Sequence, residues 1–446
     1  MSSGSSFSDS SVWSFILLAA VILGSMIVAS IIKRKIKFLN KSLVPVSVLG
    51  GILLLAVSVI VKAVTGEYLF NHEVFSAGSD KTGIETLEIL TYHCLAIGFI
   101  AMTLRKTKGK SKTRTMDVIN TGLTTVNSYL IQAFFGLTVT TVSAIFLPEL
   151  LKASGLLLCF GYGQGTGQAL NYGSIYEGYG LIGGKSFGLT VAAFGFLSAS
   201  IIGVIYLNHK KRKGELNVRL EKSELNREKV EDEGEIPMIE SIDKITMEIA
   251  LIAICYAGAY GIMFVLGNLV GGLKSTVYGF NFLFGALMGV VLKLIIGFLH
   301  KKGIMKRDYI NNFLLNRISG FAFDIMIVAG IGAIQIDLIA KYVGVLLILC
   351  VVGAVVTFIY IKLVSKKLFP EYATEQFLAM FGMLTGTAST GIILLREVDP
   401  EFETPVSENI VYQNFPAIIC GFPIMLLASY APTSDKAVYI CMAAVL

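Results

Sequence analysis

The chain has 446 residues, of which 54% are hydrophobic and 15% are charged, and its mean hydropathy is +0.72. Soluble domains carry about 25% charged residues, so this composition excludes an ordinary soluble protein and indicates an integral membrane protein. The net charge of +6 suits contact with an anionic membrane surface, and no basic face interleaved with aromatic residues suggests a nucleic-acid partner.

Ten apolar runs are long enough to cross a bilayer core of about 30 Å, which takes about 20 helical residues. In chain order they are Val12–Ile32, Val44–Ala63, Leu87–Leu104, Gly122–Leu147, Ser186–Leu207, Ile245–Gly267, Ser275–Leu299, Gly320–Ile336, Tyr342–Val364 and Asn409–Ser429. The predicted fold class is therefore an all-α polytopic membrane protein with about ten transmembrane helices in a lipid bilayer.

Two further segments, residues 150–175 and 374–395, are apolar but rich in glycine and small polar residues. Glycine weakens a helix, and broken backbone at membrane depth is tolerated only inside protein or beside water. Both segments are therefore predicted to be re-entrant hairpins, which enter the membrane and return to the same side.

Lysine and arginine orient these elements, because cytoplasmic loops carry an excess of both. Basic loops follow the first, third, fifth, seventh and ninth spans, so they fall on one side only if neither hairpin crosses the membrane. This assignment predicts that both termini lie outside and that the polar segment 208–244 is a cytoplasmic linker. Residues 1–207 and 245–446 then form two five-helix repeats of inverted topology.

The two predicted hairpins share a motif, Phe-Gly-x-x-x-Gly-Thr, which ends at Thr166 in the first and at Thr387 in the second. A Pro-Glu pair precedes each copy, at Pro148 and Pro370. An internal duplication in a membrane chain is typical of secondary transporters, in which substrate binds near the junction of the two copies.

The hairpins also supply groups that could replace the hydration shell of an ion. Backbone N–H groups at half-helix N-termini favour anions, whereas carbonyl, hydroxyl and amide oxygens suit Na⁺. The residues predicted to bind substrate or ion are Gly161, Gly163, Gln164, Gly165, Thr166, Gly167, Gln168, Asn171, Gln132, Asp324, Thr385, Gly386, Thr387, Ser389, Thr390, Arg396, Gln413 and Asn414. Of these, Thr166, Thr387 and Asp324, together with hairpin carbonyls, are predicted to ligate Na⁺.

Structural alternatives exist for several of these residues. Glycine and small hydroxyl residues also permit close helix packing in membranes. Asp324 could make a structural hydrogen bond near the end of its span, and Arg396 could be an arginine whose charged end reaches the membrane interface. The sequence contains no recognisable nucleophile–base pair, paired catalytic carboxylates or nucleotide-binding loop, so neither an enzyme nor a cofactor is predicted.

Several stretches resemble one family. The segment GYGQGTGQAL (Gly161–Leu170), with IYEGYG and GLTVAAFGF after it, resembles the first hairpin and following helix of bacterial sodium/glutamate symporters. VPVSVLGGIL (Val44–Leu53) resembles their second helix, and Gln132-x3-Gly136 resembles a Gln/Gly pair in their fourth. These matches cover most of the first half. The second half resembles the family more loosely, through TGTASTG and REVDP.

The resemblance implies an architecture similar to that of the 2-hydroxycarboxylate transporters, with inverted five-helix repeats and hairpins that enter from opposite sides. It further implies a homodimer in a bacterial plasma membrane that couples the Na⁺ gradient to glutamate uptake by an elevator-like movement. One alternative is a Na⁺- or H⁺-coupled transporter of another dicarboxylate or of a hydroxycarboxylate such as malate or citrate. A channel or a polytopic membrane enzyme is the alternative from another class.

Overall fold

A computed structural model describes residues 10–76, 82–105, 115–213, 243–269, 274–305, 307, 309–399 and 404–446. Throughout these ranges the regular secondary structure is helical, with no strand. In the first half the α-helices are α1 Ser10–Lys35, α2 Lys37–Lys41, α3 Val46–Thr65, α4 Gly83–Leu104, α5 Thr115–Phe146, α6 Leu157–Gly163, α7 Thr166–Glu177 and α8 Gly184–Arg212.

The second half begins with α9. Residues 214–242, which form most of the predicted linker, lie outside the described ranges. Its helices are α9 Lys244–Leu269, α10 Lys274–Gly279, α11 Asn281–Lys301, α12 Asn312–Gly332, α13 Ile336–Ile339, α14 Val343–Leu368, α15 Ala373–Thr385, α16 Ala388–Arg396, α17 Val406–Tyr412, α18 Asn414–Tyr430 and α19 Asp435–Val445.

Ten helical stretches of the described chain are long and apolar enough to cross a membrane, from Val12–Lys35 to Pro416–Thr433. They correspond one to one to the ten predicted spans, so that prediction is confirmed. Large apolar side chains on them face outward, among them Ile145 at 73% and Leu294 at 68% exposure. Exposure of such apolar surfaces to water would be unfavourable, whereas lipid accommodates them. The chain is therefore a multi-pass membrane protein.

Some helix boundaries differ from the predicted ones because polar residues begin a helix that hydropathy alone starts later. The eighth span was predicted from Gly320, but α12 begins at Asn312. The Asn311 side chain accepts the Leu314 N–H at 2.8 Å, which is the hydrogen bond of a helix N-cap. The sequence analysis also missed α19, whose first turn is capped by Ser434.

The chain forms two compact units. The first comprises the described residues within Met1–Thr91, Lys112–Leu220 and Ile325–Leu446, and it contains both predicted hairpin segments. The second comprises those within Tyr92–Ser111 and Glu221–Asp324, including α9, α10 and α11.

Within the first unit, aromatic side chains fix the short helices α6 and α7. The Phe160 ring stacks on the Tyr172 ring with centroids 3.8 Å apart, so the two helices lie side by side. Tyr172 and Tyr176 donate hydrogen bonds from their hydroxyls to the carbonyls of Met425 and Ala428, at 2.9 and 3.0 Å. These bonds attach α7 to α18 and satisfy hydroxyls that are fully buried.

Candidate functional site

The first hairpin segment is a pair of helices interrupted at Gln164 and Gly165. Helix α6 ends at Gly163, and α7 begins at Thr166. Gly165 has φ +83° and ψ −170°, a backbone conformation essentially restricted to glycine. The repeated motif therefore places its second glycine where the chain reverses direction.

The second hairpin segment has the same construction. Helix α15 ends at Thr385, Gly386 follows, and Thr387 is the N-cap of α16, where its hydroxyl accepts the Thr390 N–H at 3.4 Å. A Cβ added at Gly382 would lie 2.8 Å from the Cα of Gly391, so α15 and α16 also lie side by side. Each predicted segment is thus a helical hairpin.

The tips of the two hairpins meet. A Cβ added at Gly165 would lie 3.6 Å from the carbonyl oxygen of Gly386 and 3.6 Å from Cγ2 of Thr387. Helix α8 passes the same place, because a Cβ added at Gly386 would lie 3.1 Å from the Phe196 ring. The two copies of the motif, more than two hundred positions apart in sequence, are therefore in contact.

Helix α5 shows that the hairpins approach from its opposite ends. Near its start, the hydroxyl of Tyr372, just before the second hairpin segment, donates to Asp117 at 2.8 Å. Near its end, Thr140 donates to the carbonyl of Lys152, at the start of the first hairpin segment, at 2.6 Å. Asp117 and Thr140 are about 35 Å apart along a helix that rises 1.5 Å per residue.

Gln132 lies between these two ends and contacts both tips. Its Nε2 donates to the carbonyl of Leu384 at 2.9 Å and to the hydroxyl of Thr357 at 2.8 Å. A Cβ added at Gly163 would lie 3.1 Å from its Oε1. The predicted site residue Gln132 therefore joins α5, α14 and both hairpins through one fully buried carboxamide.

Several buried polar atoms around the tips have no hydrogen-bond partner among the described residues. They are Oε1 of Gln132, Nε2 of Gln164, Oγ1 of Thr166, both amide atoms of Gln168 and Oε1 of Gln413. Thr166 and Gln168 are at most 1% exposed. Leaving such atoms unpaired costs about 1–3 kcal/mol each, so this part of the protein is suited to a polar ligand.

The directions of α7 and α16 also affect the electrostatic potential at the tips. Helix α7 has 12 residues and α16 has nine, and both begin at the tips. Each N-terminus carries roughly half a positive charge from its aligned peptide dipoles, so two positive helix ends converge beside neutral oxygen ligands. The arrangement can hold an anion at the helix N-termini and a small cation at the oxygens.

Five further predicted residues lie in the helices of the two hairpins. Thr385 is fully buried and donates to the Phe381 carbonyl at 2.7 Å, and Thr390 lies 3.3 Å from the Thr387 hydroxyl. Ser389 is in α16, but its side chain lies outside the described part of the chain. Gly161 is in α6, where an added Cβ would lie 2.8 Å from Val191, and Gly167 is in the first turn of α7.

The other four predicted residues lie in α16, α7, α12 and α18. Arg396 is exposed at the last residue of α16, about 12 Å along the helix from its first residue. Asn171 is half-buried in α7, and Asp324 is half-buried in α12 and belongs to the second unit. The Asn414 amide donates to the Val411 carbonyl of its own chain segment at 3.1 Å.

Gln413 lies between α17 and α18, within the predicted tenth span. Its Nε2 lies 3.5 Å from the sulfur of Met383, one turn before the second tip. The sequence analysis missed Thr357, which binds Gln132, because a single threonine in an apolar span carries no signal of its own. It also missed Gln376 and Asn409, both fully buried.

Ion pairs outside the spans fix the base of the first hairpin. Lys341 pairs with Glu149, the acidic residue of the first Pro-Glu motif, and lowers the pKa of that carboxyl. Lys152 pairs with Asp435 at 2.5 Å, and this hydrogen bond raises the pKa of Lys152. The two pairs join the loop before α6 to the segments after α12 and after α18.

No protein-family model matches this chain, and a comparison with curated protein sequences likewise finds no match.

Proposed function

We propose that this chain is a secondary transporter that couples the Na⁺ gradient to uptake of a small dicarboxylate, with glutamate as the leading substrate. The observation that carries the proposal is the contact between Gly165 of the first hairpin tip and Gly386 and Thr387 of the second. In membrane transporters, broken helices that face each other mark the site of substrate and coupling ion.

We also propose that both hairpins are re-entrant and enter the membrane from opposite sides. The support is that the hairpins reach Gln132 from opposite ends of α5. The contacts also agree with the charge-based orientation. Lys341, Lys152 and Asp435, which fix the first hairpin, lie in segments predicted outside, whereas Asp117, which binds the second, begins a span predicted to start inside.

At the tips, we expect the substrate carboxylate to accept hydrogen bonds from backbone N–H groups in the first turns of α7 and α16. Na⁺ would take oxygens from Thr166, Gln168 and hairpin carbonyls, since hard cations prefer oxygen ligands. Thr387 also offers a hydroxyl oxygen, and Asp324 stays a predicted ligand. The inverted repeats, which rest on the distribution of lysine and arginine, belong to the same proposal. So do the homodimer, the elevator movement and the bacterial plasma membrane, which rest on the family resemblance.

Uptake of labelled glutamate into proteoliposomes tests the function directly. We expect uptake when a Na⁺ gradient is imposed, little with a proton gradient alone, and competition by unlabelled glutamate. Uptake of malate or citrate in place of glutamate would reassign the substrate, and uptake with protons alone would reassign the coupling ion. If no carboxylate is taken up with either gradient, the proposal is wrong.

A pair of matched variants tests the site. Thr166→Val removes a buried hydroxyl that has no hydrogen-bond partner among the described residues, and we expect it to raise the Na⁺ concentration for half-maximal uptake at least tenfold. Thr138→Val removes a hydroxyl that donates to the Phe134 carbonyl of its own helix, at 2.8 Å, and should leave uptake unchanged. Equal effects of the two variants would argue against a ligand at Thr166.

A further inference from the structure

A stripe of buried polar side chains runs along α5 between its first turns and Gln132. The residues are three or four positions apart, so they lie on one helix face about 100° wide. None is more than 3% exposed, and they are Thr121, Thr124, Thr125, Ser128 and Gln132.

The second hairpin lies along this face. Gln376 donates from Nε2 to the hydroxyl of Thr121 at 3.1 Å, and further along α15 the carbonyl of Leu384 accepts from Gln132 at 2.9 Å. Helix α17 adds Asn409, whose carboxamide lies beside the Tyr372 hydroxyl, and Gln413 follows one turn later. We call the set Thr121, Ser128, Gln132, Gln376, Asn409 and Gln413 the polar seam.

The threonines of α5 need no further partner, because each can bond to its own helix. Thr121 donates to the Asp117 carbonyl at 2.7 Å, and Thr125 donates to the Thr121 carbonyl at 3.0 Å. Close packing of small residues would therefore explain the threonines.

Close packing does not explain the other side chains of the polar seam. Neither amide atom of Asn409 makes a hydrogen bond of normal geometry with any described residue, and the same holds for Oε1 of Gln376 and Gln413 and for Oγ of Ser128. These residues are at most 1% exposed. In a dry seam each unpaired group would cost about 1–3 kcal/mol.

The chemistry of these groups identifies what satisfies them. The set mixes acceptors, such as Oε1 of Gln376, with a donor, Nδ2 of Asn409. A resident cation would satisfy only the oxygens, whereas water both donates and accepts, and buried water typically makes about three hydrogen bonds to such groups. The Asp117 carboxylate, which accepts a hydrogen bond from Tyr372 at the start of α5, makes this end of the seam polar.

We infer that a file of water fills the polar seam and forms a route for small cations between the hairpin tips and the Asp117 end of α5. Its use as the ion exit rests on the function proposed above, but its existence does not. Polar residues within membrane spans commonly mark ion pathways, and this route would let the coupling ion become hydrated before it leaves the protein.

Cysteine accessibility tests the route in the purified full chain, reconstituted in liposomes. Ser128→Cys is nearly isosteric and puts a thiol in the seam, and Cys420→Ser removes the exposed native thiol. The probe is 2-aminoethyl methanethiosulfonate, a small cation that reacts with thiols in contact with water. The matched control is Val126→Cys, two residues away at similar depth, 7% exposed and close to Gly421 rather than in the seam.

We expect Ser128→Cys to react at least ten times faster than Val126→Cys. Adding Asn409→Leu should slow the reaction of Ser128→Cys at least tenfold, because leucine makes that side of the seam apolar. It should not lower the melting temperature, because the two buried amide atoms it removes make no hydrogen bond of normal geometry with a described residue. Equal rates at positions 126 and 128, or no effect of Asn409→Leu in a folded protein, would overturn the inference.

Uptake measured on the same samples separates the two proposals. A reactive thiol at position 128 in a protein that takes up no carboxylate would keep the water route and reject the proposed function. An unreactive thiol in a protein that transports normally would keep the function and reject the route.

Discussion

Replacing Gly165 by alanine isolates the backbone of the first hairpin tip. The added methyl group has room, since its nearest neighbours would be 3.6 Å away, at an ordinary van der Waals distance. The cost is conformational, because φ +83° with ψ −170° is a region that other residues adopt only at about 1–3 kcal/mol. That energy corresponds to about a 5- to 150-fold change in an equilibrium constant.

The strain acts where α7 begins, so we expect Gly165→Ala to weaken substrate binding by a factor within this range. The assay is the substrate concentration for half-maximal Na⁺-driven uptake, measured together with the melting temperature. Gly180→Ala is the matched control, since Gly180 also has a positive φ, +97°, but has no neighbouring atom within 4 Å of an added Cβ.

Both variants should lose some stability, and only Gly165→Ala should lose affinity. If Gly165→Ala binds and transports substrate as Gly180→Ala does, the geometry of the tip is not what holds the ligand. The hairpins would then be packing elements, as their small residues also permit.

Three other perturbations have definite expected outcomes. Gln132→Leu removes the hydrogen bonds to the Leu384 carbonyl and the Thr357 hydroxyl. It should destabilise the tips by about 1–3 kcal/mol and lower substrate affinity at least tenfold in the uptake assay. Thr357→Val keeps the Leu384 bond and should lower the affinity less in the same assay. Because Lys341 lowers the pKa of Glu149, their pairing stabilises the fold at neutral pH and is lost as the pH falls through that lowered pKa. Lys341→Gln should therefore melt below wild type at pH 6, and the difference should shrink as the pH is lowered; a difference that does not change with pH would exclude the pairing. Tyr172→Phe removes a bond to the Met425 carbonyl and should cost about 0.5–1.5 kcal/mol of stability with uptake unchanged; lost uptake at full stability would give the hydroxyl a role in transport.

Hydropathy and glycine content are properties of single segments, and for this reason the ten spans, and the helix breaks at Gly165 and Gly386, could be predicted from the sequence. The boundary at Asn312 was missed because a capping asparagine lowers hydropathy just where the helix starts. The partners of a buried polar residue are set by packing between segments that are distant in sequence. Gln132 entered the predicted site through a family resemblance, while Thr357 and Asn409, which have no repeated or resembling neighbours, could be found only when the helices that face them were known.

The two tips come from one repeated motif, yet they offer different groups to a ligand. No side chain caps α7, so its first-turn N–H groups are available to an anion, whereas Thr387 already accepts the Thr390 N–H in α16. We therefore expect an anionic substrate to depend more on α7. Thr387→Ser keeps the cap and should transport as wild type, and Thr387→Val should lower stability by about 1 kcal/mol but raise the half-saturating substrate concentration less than Gly165→Ala. The opposite order of the two affinities would assign the substrate to α16, and the repeat would then have specialised in the other direction.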